Sequence, residues 1–320
     1  TFAKTLQPIE KTLGKLTISI DPRMELLSAI EIIEGQNETP FKNAYTQALA
    51  TSFLSFDSFD AVELTHNLSK SNCHAPAAFM LHLAQPQSLS QTSTYSKCLI
   101  DRAGGVVNLE ILRQAMGLFA QKSGFDRYWT ENRDTFKGII DATVAQAEGV
   151  DWIGVMENYM GSTQESYHLV IVPLLKENHH QSVAQADGTI KVYALMATDS
   201  TTYINRAALE SSVWYEFSHS FITPLVEKYS QKVDSTASIF TPIDFPLHQY
   251  VGDEIANAVS LRLRASSMNQ TQYEALLAQQ EDKGMSYTPA LVEKLKEYEV
   301  LRALKGTTFE EFFPQLLEVF

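Results

Sequence analysis

Cysteine is scarce in this chain of 320 residues, where Cys73 and Cys98 are the only two. Neither belongs to a C-x-x-C unit, which excludes a four-cysteine zinc knuckle. A disulfide between them would suit an exported protein, and two free thiols are the alternative. Basic residues are also few. Lys and Arg number 25 against 38 Asp and Glu, a net charge of -13, and no local basic cluster offsets that balance. Such a surface repels nucleic acid and anionic membranes, so no nucleic-acid partner is expected. No apolar run reaches the roughly 18 residues of a spanning helix, so no transmembrane segment is expected.

Several catalytic signatures are missing as well. There is no G-x-G-x-x-G, no phosphate-loop lysine and no G-x-S-x-G elbow, which argues against nucleotide binding and against an α/β-hydrolase. Asp101-Arg-Ala-Gly-Gly105 has paired glycines but reads as a turn between helices. His66, His74 and His82 recur every eight residues, yet eight positions rotate a helix by about 80° and Pro76 interrupts the run. Separate roles are expected for them. Asn37-Glu-Thr39, Asn67-Leu-Ser69 and Asn269-Gln-Thr271 match a glycosylation triplet that arises often by chance.

What is present is enough for a substantial core, since 44% of the residues are hydrophobic. Lys15–Asp21 alternates like a strand and is stopped by Pro22. Arg23–Glu34 then reads as a helix with Met24, Leu27, Ile30 and Ile33 on one side, ended by Gly35 and a turn at Gln36–Pro40. Helices are predicted over Phe41–Leu54, Ser58–Lys70, Pro76–Ala84, Asn108–Lys122 and Phe125–Ala147, the last with a break near Asn132 or Gly138. Links are expected at Gln85–Thr94 and Asp101–Gly105. After Gly149 the pattern changes. A helix at Trp152–Tyr159 precedes strands at Tyr167–Val172 and Thr189–Ala197, joined by a polar loop over Lys176–Gly188. Asn205–Tyr229 is the longest helix, with a kink or early end at Pro224. Ser230–Gln249 reads mostly as loop. Helices follow at Gly252–Ala265, Gln270–Glu281, Pro289–Leu304 and Phe309–Phe320. The expected fold is therefore α+β and mostly helical, with residues 1–148 as a helical region bearing one or few strands and residues 149–320 as a second region. Phe53, Phe56 and Phe59 are expected to pack the first region. Phe309, Phe312, Phe313 and Phe320 are expected to dock the last helix or to form a partner-facing patch.

The chemistry concentrates in Ser211-Ser-Val-Trp-Tyr-Glu-Phe-Ser-His-Ser-Phe-Ile-Thr-Pro224. On a helix Tyr215 and His219 lie one turn apart on one face, with Glu216 beside them. A metallopeptidase helix places two metal ligands at i and i+4 and a carboxylate at i+1, as in H-E-x-x-H. Two ligands so spaced can share a metal, and the carboxylate can take a proton from its bound water. Here the pattern is Y-E-x-x-H, and a neutral phenol is a weak ligand. Downstream, Asp253 and Glu254 fall at a helix start, where acidic residues are ordinary. Glu254 is far enough along the chain to return beside the first helix as a third ligand. Asn257, one turn later, is positioned to orient one of these side chains. A buried helix carrying a hydrogen-bonded His219 and an outward Glu216 is the alternative.

Trp214–Tyr229, WYEFSHSFITPLVEKY, resembles the H-E-F-S-H-S-F-x-N-P signature of a bacterial domain-of-unknown-function family numbered 4932, which itself resembles the gluzincins. Asp21–Leu26, Tyr167–Leu175 and Asp253–Asn257 extend the likeness. The resemblance implies a zincin-like fold in residues 149–320, a Zn2+ cofactor and peptide-bond hydrolysis. It makes Glu216 the general base, and His219 and Glu254 metal ligands. Tyr215 stands in the place of the first histidine, and Thr223 where asparagine is usual. The metal site is therefore altered. His248, or the pair His179 and His180, is an auxiliary candidate for the missing imidazole. Tyr250 is a candidate oxyanion donor. Two functions follow: a zinc-dependent metallopeptidase, or an inactive homologue that binds a peptide or protein. In either, the strand Thr189–Ala197 is a candidate to pair with an extended chain. The start at Thr1 without Met, taken with the resemblance, gives the expectation of an exported protein, whether periplasmic, cell-surface or secreted.

Overall fold

The computed structural model describes residues 6–35, 44–69, 75–172, 178–185, 189–197, 204–236 and 246–320. The expected turn Gln36–Pro40, the Asn37 triplet, Cys73 and His74 lie outside them. The fold is α+β and mostly helical with a small mixed sheet. It divides into two compact units, Thr1–Glu148 with Glu165–Asn205 and Gly149–Gln164 with Arg206–Phe320.

The first unit opens with a hairpin of β1 (Ile9–Leu13) and β2 (Leu16–Ile20). Gly14, at φ 60°, makes the reversal with backbone angles that L residues rarely adopt. Asp21 then caps α1 (Pro22–Glu34), its carboxylate accepting from the Arg23 amide at 2.8 Å, and Pro22 takes the first turn. The expected one-sided apolar face of α1 understates its burial, because helices surround it: every residue from Pro22 to Ile30 is buried. Around it come α2 (Ala44–Phe53), α3 (Asp60–Ser69) and α4 (Ala75–Leu81).

Next is α5 (Lys97–Ala103), a short helix with no amphipathic signal in the sequence. Gly104 and Gly105, at φ 71° and 126°, turn it into α6 (Val106–Lys122). Then α7 (Phe125–Ala147) runs without the expected break at Asn132 or Gly138. Its buried face of Tyr128, Trp129, Phe136, Ile139, Ile140 and Val144 packs on β1 and β2, and that packing outweighs one glycine's weak helix propensity. Phe53, Phe56 and Phe59 pack against Phe119, as expected.

Strands β3 (Ser166–Val172), β4 (His179–Ala184) and β5 (Ile190–Ala197) complete the sheet in the order β1-β2-β3-β5-β4. β2, β3 and β5 are parallel, and each edge strand is antiparallel to its neighbour. Residues 165–205, assigned by the sequence to the second region, thus belong to the first unit, because β3 makes its ladder with β2. The central strand ends in an apolar, buried run, Leu169–Val172, as burial on both faces requires. The polar loop expected over Lys176–Gly188 contains β4, and β5, with β3 and β4 on its two sides, has no edge for a peptide.

The second unit comprises α8 (Trp152–Met160), α9 (Arg206–Lys228), α10 (Ser230–Ser235), α11 (Leu247–Arg264), α12 (Gln270–Asp282), α13 (Thr288–Lys305) and α14 (Phe309–Leu316). α9 lies against α11, and α11 against α13. α10 and the start of α11 lie in what the sequence reads as loop. α9 continues through Pro224 to Lys228 rather than ending there. Fully buried Tyr298 meets Phe309 and Phe312, while Phe313 stacks on Tyr229 and Phe320 packs on Tyr287. These phenylalanines are core, not an exposed patch. No described helix is long and apolar enough to cross a membrane.

Candidate functional site

The pairing of α9 with α11 gathers the residues singled out by the motif. Trp214 anchors α9 through its indole N–H to the Trp152 carbonyl at 3.0 Å. One residue on, Tyr215 is half-buried, while Glu216 and His219 are buried. The Tyr215 and His219 rings lie one turn apart with centroids 5.1 Å apart and planes at 85°. From α11, Asp253 Oδ1 comes within 3.6 Å of His219 Nε2. Burial raises the Tyr215 phenol far above its ordinary value, and the charges of Asp253, Glu216 and Glu254 raise it further. A phenol there stays neutral. Tyr215 is thus close enough to three carboxylates to be influenced by each.

Glu254 is fully buried, and both of its oxygens accept hydrogen bonds. Oε1 accepts from the Tyr250 hydroxyl at 2.7 Å and from the Tyr287 backbone N–H at 3.2 Å. Oε2 accepts from the Thr288 hydroxyl at 2.6 Å. Tyr287 and Thr288 form the start of α13, so the carboxylate caps that helix, where backbone amides favour an anion. Asn257 does orient a neighbour, at one remove. Its amide donates to the Thr288 Oγ at 3.1 Å and to Gln280 Oε1 at 2.7 Å, and Thr288 hands the chain on to Glu254.

Two of the auxiliary candidates are engaged with other partners. Tyr250 is committed to Glu254, with the Gly284 carbonyl 3.1 Å from the same hydroxyl, rather than held ready for an oxyanion. His248 Nε2 pairs with Asp234 Oδ1 at 2.7 Å on a partly exposed surface. His179 and His180 are on β4, in the other unit, and the His179 side chain lies outside the described residues. The three histidines spaced by eight do not act together where described: His66 pairs with Glu34, and buried His82 meets Ser93 at 2.7 Å. Cys98 is exposed.

Sequence reasoning missed Asp253 as an acid beside His219, and Thr288 and Tyr287 as the support of Glu254. The sequence places Asp253 at a helix start, where acids are ordinary. Because α11 begins at Leu247 and not at Gly252, Asp253 and Glu254 instead occupy its second turn.

Zinc fits this donor set poorly. Among the described residues, no three His, Cys, Asp or Glu side chains are arranged to hold a metal ion. The position that would supply the second imidazole carries a phenol whose ionisation is opposed by burial and by three acids. A catalytic zinc site keeps three protein ligands.

A model of the family described as domain of unknown function DUF4932 matches residues 16–319, and the chain belongs to that family. Comparisons with curated proteins and with solved structures give no match.

Proposed function

We propose that this chain is a zincin-like metallopeptidase homologue that has lost the catalytic metal and acts by binding a peptide or protein. The observation that carries this reading is Tyr215: the helix pair is kept, but a neutral, half-buried phenol takes the place of an imidazole. The β4 edge supports the binding half. β4 ends the sheet, so an extended chain would pair there, and not with β5 as the sequence suggests. The competing reading, a zinc-dependent peptidase with Glu216 as base, draws on the hydrogen-bonded support of Glu254, since ligating carboxylates usually have such support.

Metal analysis of the purified chain and hydrolysis of a quenched-fluorescence peptide library separate the two. The expected result is far less than one zinc per chain, no turnover, and more zinc retained by Tyr215→His. About one zinc per chain, with turnover that is abolished in Glu216→Gln while the metal stays bound, overturns the proposal.

A further inference from the structure

Another buried acid lies in the first unit, and nothing in the candidate site uses it. Glu25, on α1, is fully buried. Its Oε2 accepts a hydrogen bond from the Tyr45 hydroxyl of α2, and its Oε1 has no hydrogen-bond partner. Tyr128, from α7, is buried beside Tyr45. An ionised carboxylate served by a single phenol and by no cation is costly in such a core, whereas a carboxylic acid is tolerable.

We propose that Glu25 is a proton-operated clamp on the packing of α2 against α1: the neutral acid is tolerated in this core, and ionisation loosens the packing because the buried charge has no cation, although the Tyr45 hydrogen bond itself favours the charged form. The surroundings support this from each packed element. On its own helix the nearest charges are Asp21 and Arg23, which are paired with each other at 2.6 Å. From α2 the only titratable side chain is Tyr45, and α4 and the turn Leu54–Phe56 bring none. On α3, Asp60 and Glu63 are exposed and His66 pairs with Glu34. From α7, Tyr128 is buried while Asp126, Arg127 and Glu131 are exposed. β3 contributes buried Tyr167 and half-buried His168, the latter beside Arg23 and Asp21.

Burial is the first cause that pushes the Glu25 carboxyl up, to about 7. The Tyr45 hydrogen bond works against it and the Asp21 charge adds to it. Because the folded value is raised, the stabilisation is complete below the ordinary carboxylate range and is lost as pH climbs through about 7.

The test is denaturant unfolding of the full chain with amide exchange read over Ala44–Phe53. Between about pH 5.5 and 8.5, the unfolding constant of wild type should rise roughly 30-fold more than that of Glu25→Gln. Protection in α2 should fall with it. Tyr45→Phe gives a second reading if Glu25→Gln does not fold: without the donor that lowers the carboxyl, the pH transition should move upward. Equal pH slopes for wild type and Glu25→Gln overturn the clamp. So does a Tyr45→Phe transition that does not move.

Discussion

The Gln164 side-chain amide lies 3.4 Å from the carbonyl of Ser220 and donates to it, and Ser220 is the residue whose helical partner is Pro224. Proline has no N–H, so an α-helix passing through position 224 strands the carbonyl four residues back. The segment after α8 supplies the missing donor from outside the helix. Its own backbone is held in turn, since the Gln164 N–H donates to Glu157 Oε1 at 2.9 Å. This is why α9 can continue to Lys228 and keep its long contact with α11.

Gln164→Ala should therefore cost about 1 kcal/mol of stability, the usual worth of one hydrogen bond. In a Pro224→Ala background the backbone N–H returns and the same truncation should cost close to nothing. Urea unfolding of the four proteins in this cycle measures the coupling directly. A cost that is the same in both backgrounds would mean that Gln164 acts through some other contact.

The Glu254 network makes a different prediction. Thr288→Val keeps the shape but removes the donor to Oε2, leaving a buried carboxylate short of one partner. It should cost roughly 1–3 kcal/mol, and Thr288→Ser should recover most of that by restoring the hydroxyl. Because Glu254 caps α13, the loss should appear as weaker amide protection at the start of that helix. Unchanged protection there would remove the capping role.

Much of the helical fold was legible because its signals are local. Asp21-Pro22 starts α1, Gly35 ends it, and Asp151 and Gly161 bound α8 within a residue or two of expectation. The edge strands were not. IEKTL has only Ile9 buried and HHQSVA is largely polar, so neither carries an alternating apolar pattern, and each becomes a strand by pairing with the more apolar strand that follows it in the chain. The candidate site was half legible. Helical spacing gives Tyr215, Glu216 and His219, whereas the Tyr250–Glu254 pair follows only from a helix that starts at Leu247. The register of α11 decided the acid facing His219, and that register depends on a start at Leu247 that no capping residue announces. Thr288 and Tyr287 reach Glu254 from more than thirty positions away, which no local pattern reveals.

Tyr215 should behave as a silent phenol. Burial and the charges of Asp253, Glu216 and Glu254 all oppose its ionisation. An ultraviolet titration of wild type against Tyr215→Phe should therefore show no difference in phenolate absorbance up to about pH 11, where an ordinary tyrosine is mostly ionised. A difference appearing near pH 10 would mean that the hydroxyl reaches solvent away from the acids.

Arg23 offers the sharpest stability test in the first unit. Its guanidinium forms a paired contact with Asp21, at 3.0 Å from Nε to Oδ1 and 2.6 Å from Nη2 to Oδ2, and Nη1 also donates to the Leu83 carbonyl at 2.9 Å. Both charged groups are buried, so removing one leaves the other without its counter-charge. Arg23→Ala should cost about 3–5 kcal/mol, while a joint Asp21→Asn, Arg23→Met change should cost less than the single truncation. Lysine keeps the charge but not the planar fork, so Arg23→Lys should fall between wild type and alanine. Denaturant midpoints of the four chains decide it. If the double change were as damaging as Arg23→Ala, the reach to Leu83 would matter more than the charge pair.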